Sequence, residues 1–228
     1  ISACLVGSEM CIRDRANVHR NMDIVAGYFG LTKENLLLLN QDVSADVVFV
    51  DEASHLKYKV DGAVTTQPGV VLCIRTADCA PVLMGDFENG VIGAAHAGWR
   101  GAVKGIIENT LDLMIAKGAR TENIRAAVGP CIAQKSYEVD EGFYRQFVDK
   151  DTQFQRFFRE SVKSGFYQFD LEGFCVGRLE HYGIKNICAS GLDTYALTED
   201  FFSFRRFTHQ GLIKHKSDFP VEISTITL

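Results

Sequence analysis

Cys79 and His96 stand out first, because a soft thiol and an imidazole close two short apolar runs only 17 positions apart. Residues 80–84 form one run and residues 91–96 the other, and the stretch between them ends in Asn89-Gly90, a pair favoured in hairpin turns. With a four-residue loop at 86–89, Gly85 faces Gly90, and counting outward sets Cys79 directly opposite His96. A tighter turn on Asn89-Gly90 alone would set His96 opposite Leu83. A thiol beside an imidazole is either the beginning of a metal site or a nucleophile with its base. Spacing alone favours a third outcome, a buried thiol and a satisfied histidine.

The neighbouring elements decide what else reaches this point. Gly98-Trp99-Arg100-Gly101 precedes apolar residues at helical spacing through 102–117, so a helix is expected to start beside His96 and aim its free N–H groups there. Arg100 adds positive charge. Asp78, next to Cys79, could orient a ligand or move a proton, although a strand-end hydrogen bond is the simpler role. Pro81 restricts its strand to an edge or a bulge. Arg205 and Arg206 end the aromatic run FFSFRR; on a strand they face opposite ways, and spacing alone reads them as two surface arginines. Cys131, after a Gly-Pro turn, reads as a small buried hydrophobe.

Elsewhere the pattern predicts a helix from Val18 to about Gly30, strands at 36–39, 47–50, 123–128 and 184–190, and a helix at 171–182 stopped by Gly183. Residues 139–158, rich in aromatics and charges, suggest one or two surface helices. Strands and helices alternate irregularly, so the expected fold is α+β: a single domain of mixed β-sheets packed with flanking helices.

The composition of the 228 residues, 46% hydrophobic and 23% charged, is enough for one substantial core. A net charge of −5 argues against a dedicated nucleic-acid or membrane-surface binder. No apolar run approaches a bilayer span, no signal-peptide layout is present, and seven scattered cysteines read as reduced thiols, which together imply a cytoplasmic setting.

The strings TADCAPVL (76–83) and IGAAHAGWRGAVKGII (92–107) closely resemble the core of the YfiH-like, or laccase-domain, family of purine nucleoside phosphorylases once called polyphenol oxidases. DGAVTTQPGV (61–70), VGPCI (128–132), SYEV (136–139), SGLDTY (190–195) and FFSFRR (201–206) add to the likeness, which spans residues 17–228. Residues 1–16 have no periodicity and no similarity to the family and read as a doubtful leader outside it; the family's usual opening, with an Arg-x-Gly-Gly-Val-Ser type loop, does not match here.

The resemblance implies a YfiH-like sandwich and a catalytic zinc held by two histidines and a cysteine, with copper as the alternative. Cys79 and His96 match two of these ligands. The third, a histidine in a Gln-Val-His-Ser type string, aligns with Val43, which cannot bind a metal. Asp42 could substitute only through a bulge, and His55 is a weaker rescue. The implied reaction is phosphorolysis of adenosine, inosine or 5′-methylthioadenosine to base and ribose 1-phosphate, with adenosine deamination alongside. Arg100 with Arg205 or Arg206 is then expected to bind phosphate. Other readings of the same residues are a copper-dependent oxidase, a metal-free Cys79/His96 thiol hydrolase, and an inactive relative.

Overall fold

The computed structural model describes residues 15–51, 58–213 and 219–228, with side chains from residue 18 onward. Most of the 1–16 leader and His55 lie outside the described residues. In chain order the elements are α1 (Arg15–Tyr28), β1 (Leu36–Leu38), β2 (Val47–Val50), β3 (Gly62–Thr65), β4 (Val71–Thr76), β5 (Ala80–Asp86), β6 (Val91–Ala97), α2 (Trp99–Lys104), α3 (Ile106–Ala116) and β7 (Arg125–Val128). They continue with β8 (Glu138–Asp140), α4 (Glu141–Val148), β9 (Phe158–Glu160), β10 (Phe166–Phe169), α5 (Leu171–Tyr182), β11 (Asn186–Ala189), α6 (Phe204–His209) and β12 (Glu222–Ile226).

Alternation along the strands builds the layers. In β4, Leu72 and Ile74 point to one side and Val71 and Cys73 to the other. Val71 and Cys73 pack against Met22, Val25 and Ala26 of α1. Leu72 and Ile74 meet Leu83, Ile92 and Ala94 from a second sheet, whose far face receives Ile107, Leu111 and Met114 of α3 and Phe174 of α5. The order is therefore helix, three-stranded sheet (β1-β4-β12), six-stranded sheet (β11-β7-β5-β6-β3-β2), helices. A third small sheet, β8-β10-β9, flanks them. Parallel pairs (β1 with β4, β2 with β3, β11 with β7) mix with antiparallel ones, so the chain is the single α+β domain with mixed sheets that its sequence predicts.

Three expectations change. Pro81 lies in β5, which is interior to the six-stranded sheet and not at its edge. It is tolerated because its carbonyl takes Gly129 N–H at 2.9 Å just past the end of β7, so the bond that a proline cannot donate falls where the ladder is already ending. The helix expected at 102–117 is two, broken at Gly105 in the left-handed region (φ 101°). Residues 139–158 hold α4 and a 3-10 helix at Thr152–Phe157, in keeping with the one or two helices expected, but Phe147, Phe154, Phe157 and Phe158 are buried in an aromatic cluster with Phe169 and Phe174, so this segment is core more than surface. No helix of the described residues is long and apolar enough to cross a membrane.

Candidate active site

The β5–β6 hairpin has a four-residue loop, but it is Phe87 to Gly90 and not 86–89. Asp86 pairs with Val91 inside the ladder, and Pro81, not Cys79, faces His96. The cause is the buried Asp86 carboxylate, which accepts Asn89 N–H at 3.0 Å, Asn89 Nδ2 at 2.8 Å and Arg120 N–H at 2.8 Å, capping the turn from within the strand. The loop moves one residue along the chain, so the partner of His96 shifts by two, from Cys79 to Pro81. Cys79 and His96 become diagonal neighbours, and the sulfur still raises the proton affinity of the imidazole.

What holds His96 is a residue that sequence reasoning assigned no role. Asp61, fully buried at the start of β3, lies with Oδ1 2.6 Å from His96 Nδ1, while its Oδ2 accepts Ser44 N–H at 2.7 Å, Ser44 Oγ at 2.9 Å and Asp42 N–H at 3.1 Å. One carboxylate thus fixes the imidazole and the 42–44 turn together. Burial would raise the Asp61 carboxyl, but the hydrogen bonds from His96 and Ser44 outweigh it and hold the group well below the usual carboxylate range. Burial likewise would lower His96, yet the Cys79 sulfur and the Asp61 carboxylate push it up to about 9. With Nδ1 committed to Asp61, Nε2 is the ring nitrogen left to meet a second partner.

The 42–44 turn forces Val43 into the left-handed region (φ 64°), a conformation costing a β-branched residue about 1–2 kcal/mol. The three hydrogen bonds to Asp61 Oδ2 offset this. A methyl carbon placed on Gly98 would lie 3.2 Å from Cys79 Sγ, 3.3 Å from Val43 Cγ1 and 3.6 Å from His96 Cε1. Val43, Cys79 and His96 therefore close around one point, which the missing side chain of Gly98 leaves open.

The remaining expected residues separate. Asp78 is buried, has φ 82°, and accepts Thr194 Oγ1 at 2.7 Å and Arg205 N–H at 2.7 Å. Burial raises its carboxyl while these bonds counter the rise. It holds 194 and 205 against the β4–β5 connection, the simpler of the roles foreseen. FFSFRR is not a strand. Ser203 Oγ takes Arg206 N–H at 3.1 Å and caps the short helix α6. Arg206 is buried, and its guanidinium donates to the carbonyls of Thr194, Tyr195 and Phe201, so it staples the loop and lines none of the cavities described below. Arg205 instead lies over the Tyr137 ring, and Arg100 over the Trp99 ring. Helix α2 is only six residues long, so Arg100 and Arg205 act at the site through their side chains and not through a helix terminus. Cys131 is buried as expected, with burial pushing its thiol up.

Three cavities meet at Arg100. The inner one, about 270 Å³, is lined by Cys79, Val43, Tyr137, Arg100 and Arg205. A second, about 470 Å³, takes in His96, Cys79, Phe204 and Phe219. A third, about 540 Å³, opens beyond Trp99 between Arg100, Arg205 and Phe143.

The donor set does not fit a three-ligand metal site. Cys79 Sγ and His96 Nε2 supply two corners, and Val43 puts a methyl group where the third donor would stand. Asp42 faces Lys59, with Oδ2 3.1 Å from Nζ. Among the described residues no group of three His, Cys, Asp or Glu side chains could hold a metal ion.

Behind the second cavity, Glu222 is buried in β12; one oxygen accepts Phe202 N–H, and burial raises the acid to about 7 from its ordinary 4.5. Asp78 adds to the rise and Arg206 opposes it. Because the fold favours the protonated acid, this stabilisation is fully present below pH 4.5 and is lost as pH rises through about 7. Glu222→Gln is expected to flatten the dependence of thermal unfolding on pH across that window; an unchanged slope would contradict the assignment.

A sequence model described as multi-copper polyphenol oxidoreductase laccase matches residues 8–213, and the chain belongs to that family. The chain is 39% identical over 196 residues to a purine nucleoside phosphorylase of Rickettsia prowazekii, covering 86% of this chain and 80% of the relative. It is 38% identical over 193 residues to a purine nucleoside phosphorylase of Deinococcus radiodurans, covering 85% and 73%. The hypothetical protein YfiH of Bacillus licheniformis superposes with a TM-score of 0.84 at 28% identity, covering 93% of this chain and 81% of that one. A Neisseria meningitidis protein, NMB0706, does so with 0.83 at 27% identity, covering 100% and 90%.

Proposed function

We propose that this chain is a purine nucleoside phosphorylase that binds nucleoside and phosphate in the cavities joined at Arg100. The observation that carries the reading is the pair Arg100 and Arg205, two guanidinium groups lining one cavity with Cys79 and bordered by Trp99, Tyr137 and Phe204. Breaking the bond between base and ribose builds positive charge on the sugar. A phosphate dianion held by the two arginines would be both the nucleophile and the counter-charge, while the aromatic walls exclude water. Adenosine, inosine and 5′-methylthioadenosine are the proposed substrates.

Zinc is the metal proposed for the family-type site, with copper second, yet this chain brings only two donors to either. Adenosine deamination, which calls for an activated water, is accordingly proposed for a chain whose third ligand is restored. Val43 also supports a second reading, in which the chain keeps the fold and the pocket with little turnover.

The test is release of base and ribose 1-phosphate from adenosine or inosine, with and without phosphate, by this chain and by its Val43→His variant. Phosphate-dependent release is expected, with Arg100→Ala and Arg205→Ala each lowering kcat/KM for phosphate by about 10- to 100-fold, the value of one charged hydrogen-bond partner. Absence of base release from both chains, or release indifferent to phosphate, would overturn the proposal.

A further inference from the structure

We infer that Cys79, His96 and Asp61 form a metal-free thiol triad in this chain, able to take up and hydrolyse small activated acyl compounds that carry a negative group. A nucleophilic cysteine needs a base within hydrogen-bond reach and a third group that orients the base. His96 is bonded to the buried Asp61 carboxylate at 2.6 Å, and its ring and the Cys79 sulfur close on one point beside Gly98, where a methyl carbon would lie 3.6 Å from Cε1 and 3.2 Å from Sγ. The sulfur is half-buried yet lines two cavities, so it is both held and reachable. Val43 offers no donor that would complete a metal site and occupy the sulfur lone pairs. Gly98 keeps the approach open, since even a methyl group there would lie 3.2 Å from Sγ.

The acyl class follows from the inner cavity. At about 270 Å³, with Ile132, Leu171 and Tyr137 in its wall, it suits a short chain, and Arg100 and Arg205 suit an anionic end. As Sγ attacks the carbonyl carbon of an ester, the proton shared by sulfur and His96 rests on the imidazole. The new S–C bond persists while the C–O bond breaks, and His96 returns that proton to the departing alcohol. Water then adds to the thioester with its proton passing to His96, the C–S bond breaks, the acid leaves, and the proton goes back to sulfur. The net change is ester plus water to acid plus alcohol.

The experiment uses the full chain with 4-nitrophenyl acetate and with the anionic 4-nitrophenyl hemiglutarate, in the absence of nucleoside and phosphate, so its outcome is independent of the phosphorylase reading. A burst of nitrophenolate is expected, about tenfold faster with the hemiglutarate, with the acyl group found on the Cys79 peptide by mass spectrometry. Cys79→Ser should abolish the burst and His96→Gln should slow it at least about 100-fold. In Val43→His, added zinc should block acylation of Cys79, a readout that needs no folded Cys79 variant. Acylation confined to another cysteine, no acylation, or acylation of Val43→His undiminished by zinc would overturn the proposal.

Discussion

Val43→His is expected to bind close to one zinc ion per chain, where the unaltered chain binds less than a stoichiometric amount. The argument is geometric. Position 43 already faces the point shared by Cys79 Sγ and His96, and it does so in a left-handed conformation that histidine adopts several-fold more readily than most residues. The substitution therefore relieves backbone strain while adding the third donor of a tetrahedral site with one open position. At zinc concentrations 1,000-fold above Kd, binding adds about 4 kcal/mol to stability. For a chain of this length that raises Tm by roughly 10 °C. Metal analysis after gel filtration and a melting curve with and without zinc check both halves. Equal zinc content in the two chains would mean that Val43 does not occupy the ligand corner.

Asp61→Ala is expected to be the most destabilising single change at the site, costing about 3–5 kcal/mol because it removes one member of a buried pair and leaves the other uncompensated. It also releases Asp42 N–H, Ser44 N–H and Ser44 Oγ, the bonds that hold Val43 in its strained conformation. Asp61→Asn separates the two roles. Its single oxygen can serve the 42–44 turn only by turning the amide NH₂ toward His96 Nδ1, which inverts the tautomer and leaves Nε2 protonated. In the Val43→His background that inversion should weaken zinc binding about 10- to 100-fold with a smaller loss of stability than the alanine variant shows. Isothermal titration with zinc beside chemical denaturation reads both quantities. If the asparagine variant bound zinc as tightly as its parent, Asp61 would not be setting the imidazole.

Much of the scaffold was readable because period-two apolar patterning survives in the strands. Leu72 and Ile74 face one layer and Val71 and Cys73 the other, which a sequence displays directly. What escaped depended on contacts remote in the chain or on a single residue overriding a pattern. Asp86 looked like the first loop residue, but its carboxylate bonds to Asn89 and Arg120 draw it into the ladder and move the register of the hairpin. Gly105 interrupts an apolar spacing that continues across it, so two helices read as one. For FFSFRR only the strand geometry was weighed, although Ser203 three positions before Arg206 is an N-cap signal.

At the site, hairpin counting brought Cys79 and His96 together and the family resemblance added Val43, whereas residue type and spacing alone favoured a buried thiol and a satisfied histidine. Asp61 was not legible, since its partners lie 17 to 35 positions away. The one available cue was a carboxylate opening the otherwise apolar strand Gly62–Thr65, a place where an acid must have a partner. The two arginines diverged for a reason invisible in their adjacency: α6 turns Arg206 into three backbone carbonyls and leaves Arg205 at the cavity wall.

Anomalous diffraction at the zinc absorption edge from crystals of Val43→His grown with zinc is the most direct test of the shared corner. The arrangement around Gly98 predicts one strong peak per chain, bonded to the introduced imidazole, to Cys79 Sγ and to His96 Nε2. A peak that engages neither Cys79 nor His96, or no peak beside Gly98, would show that these side chains do not converge as described.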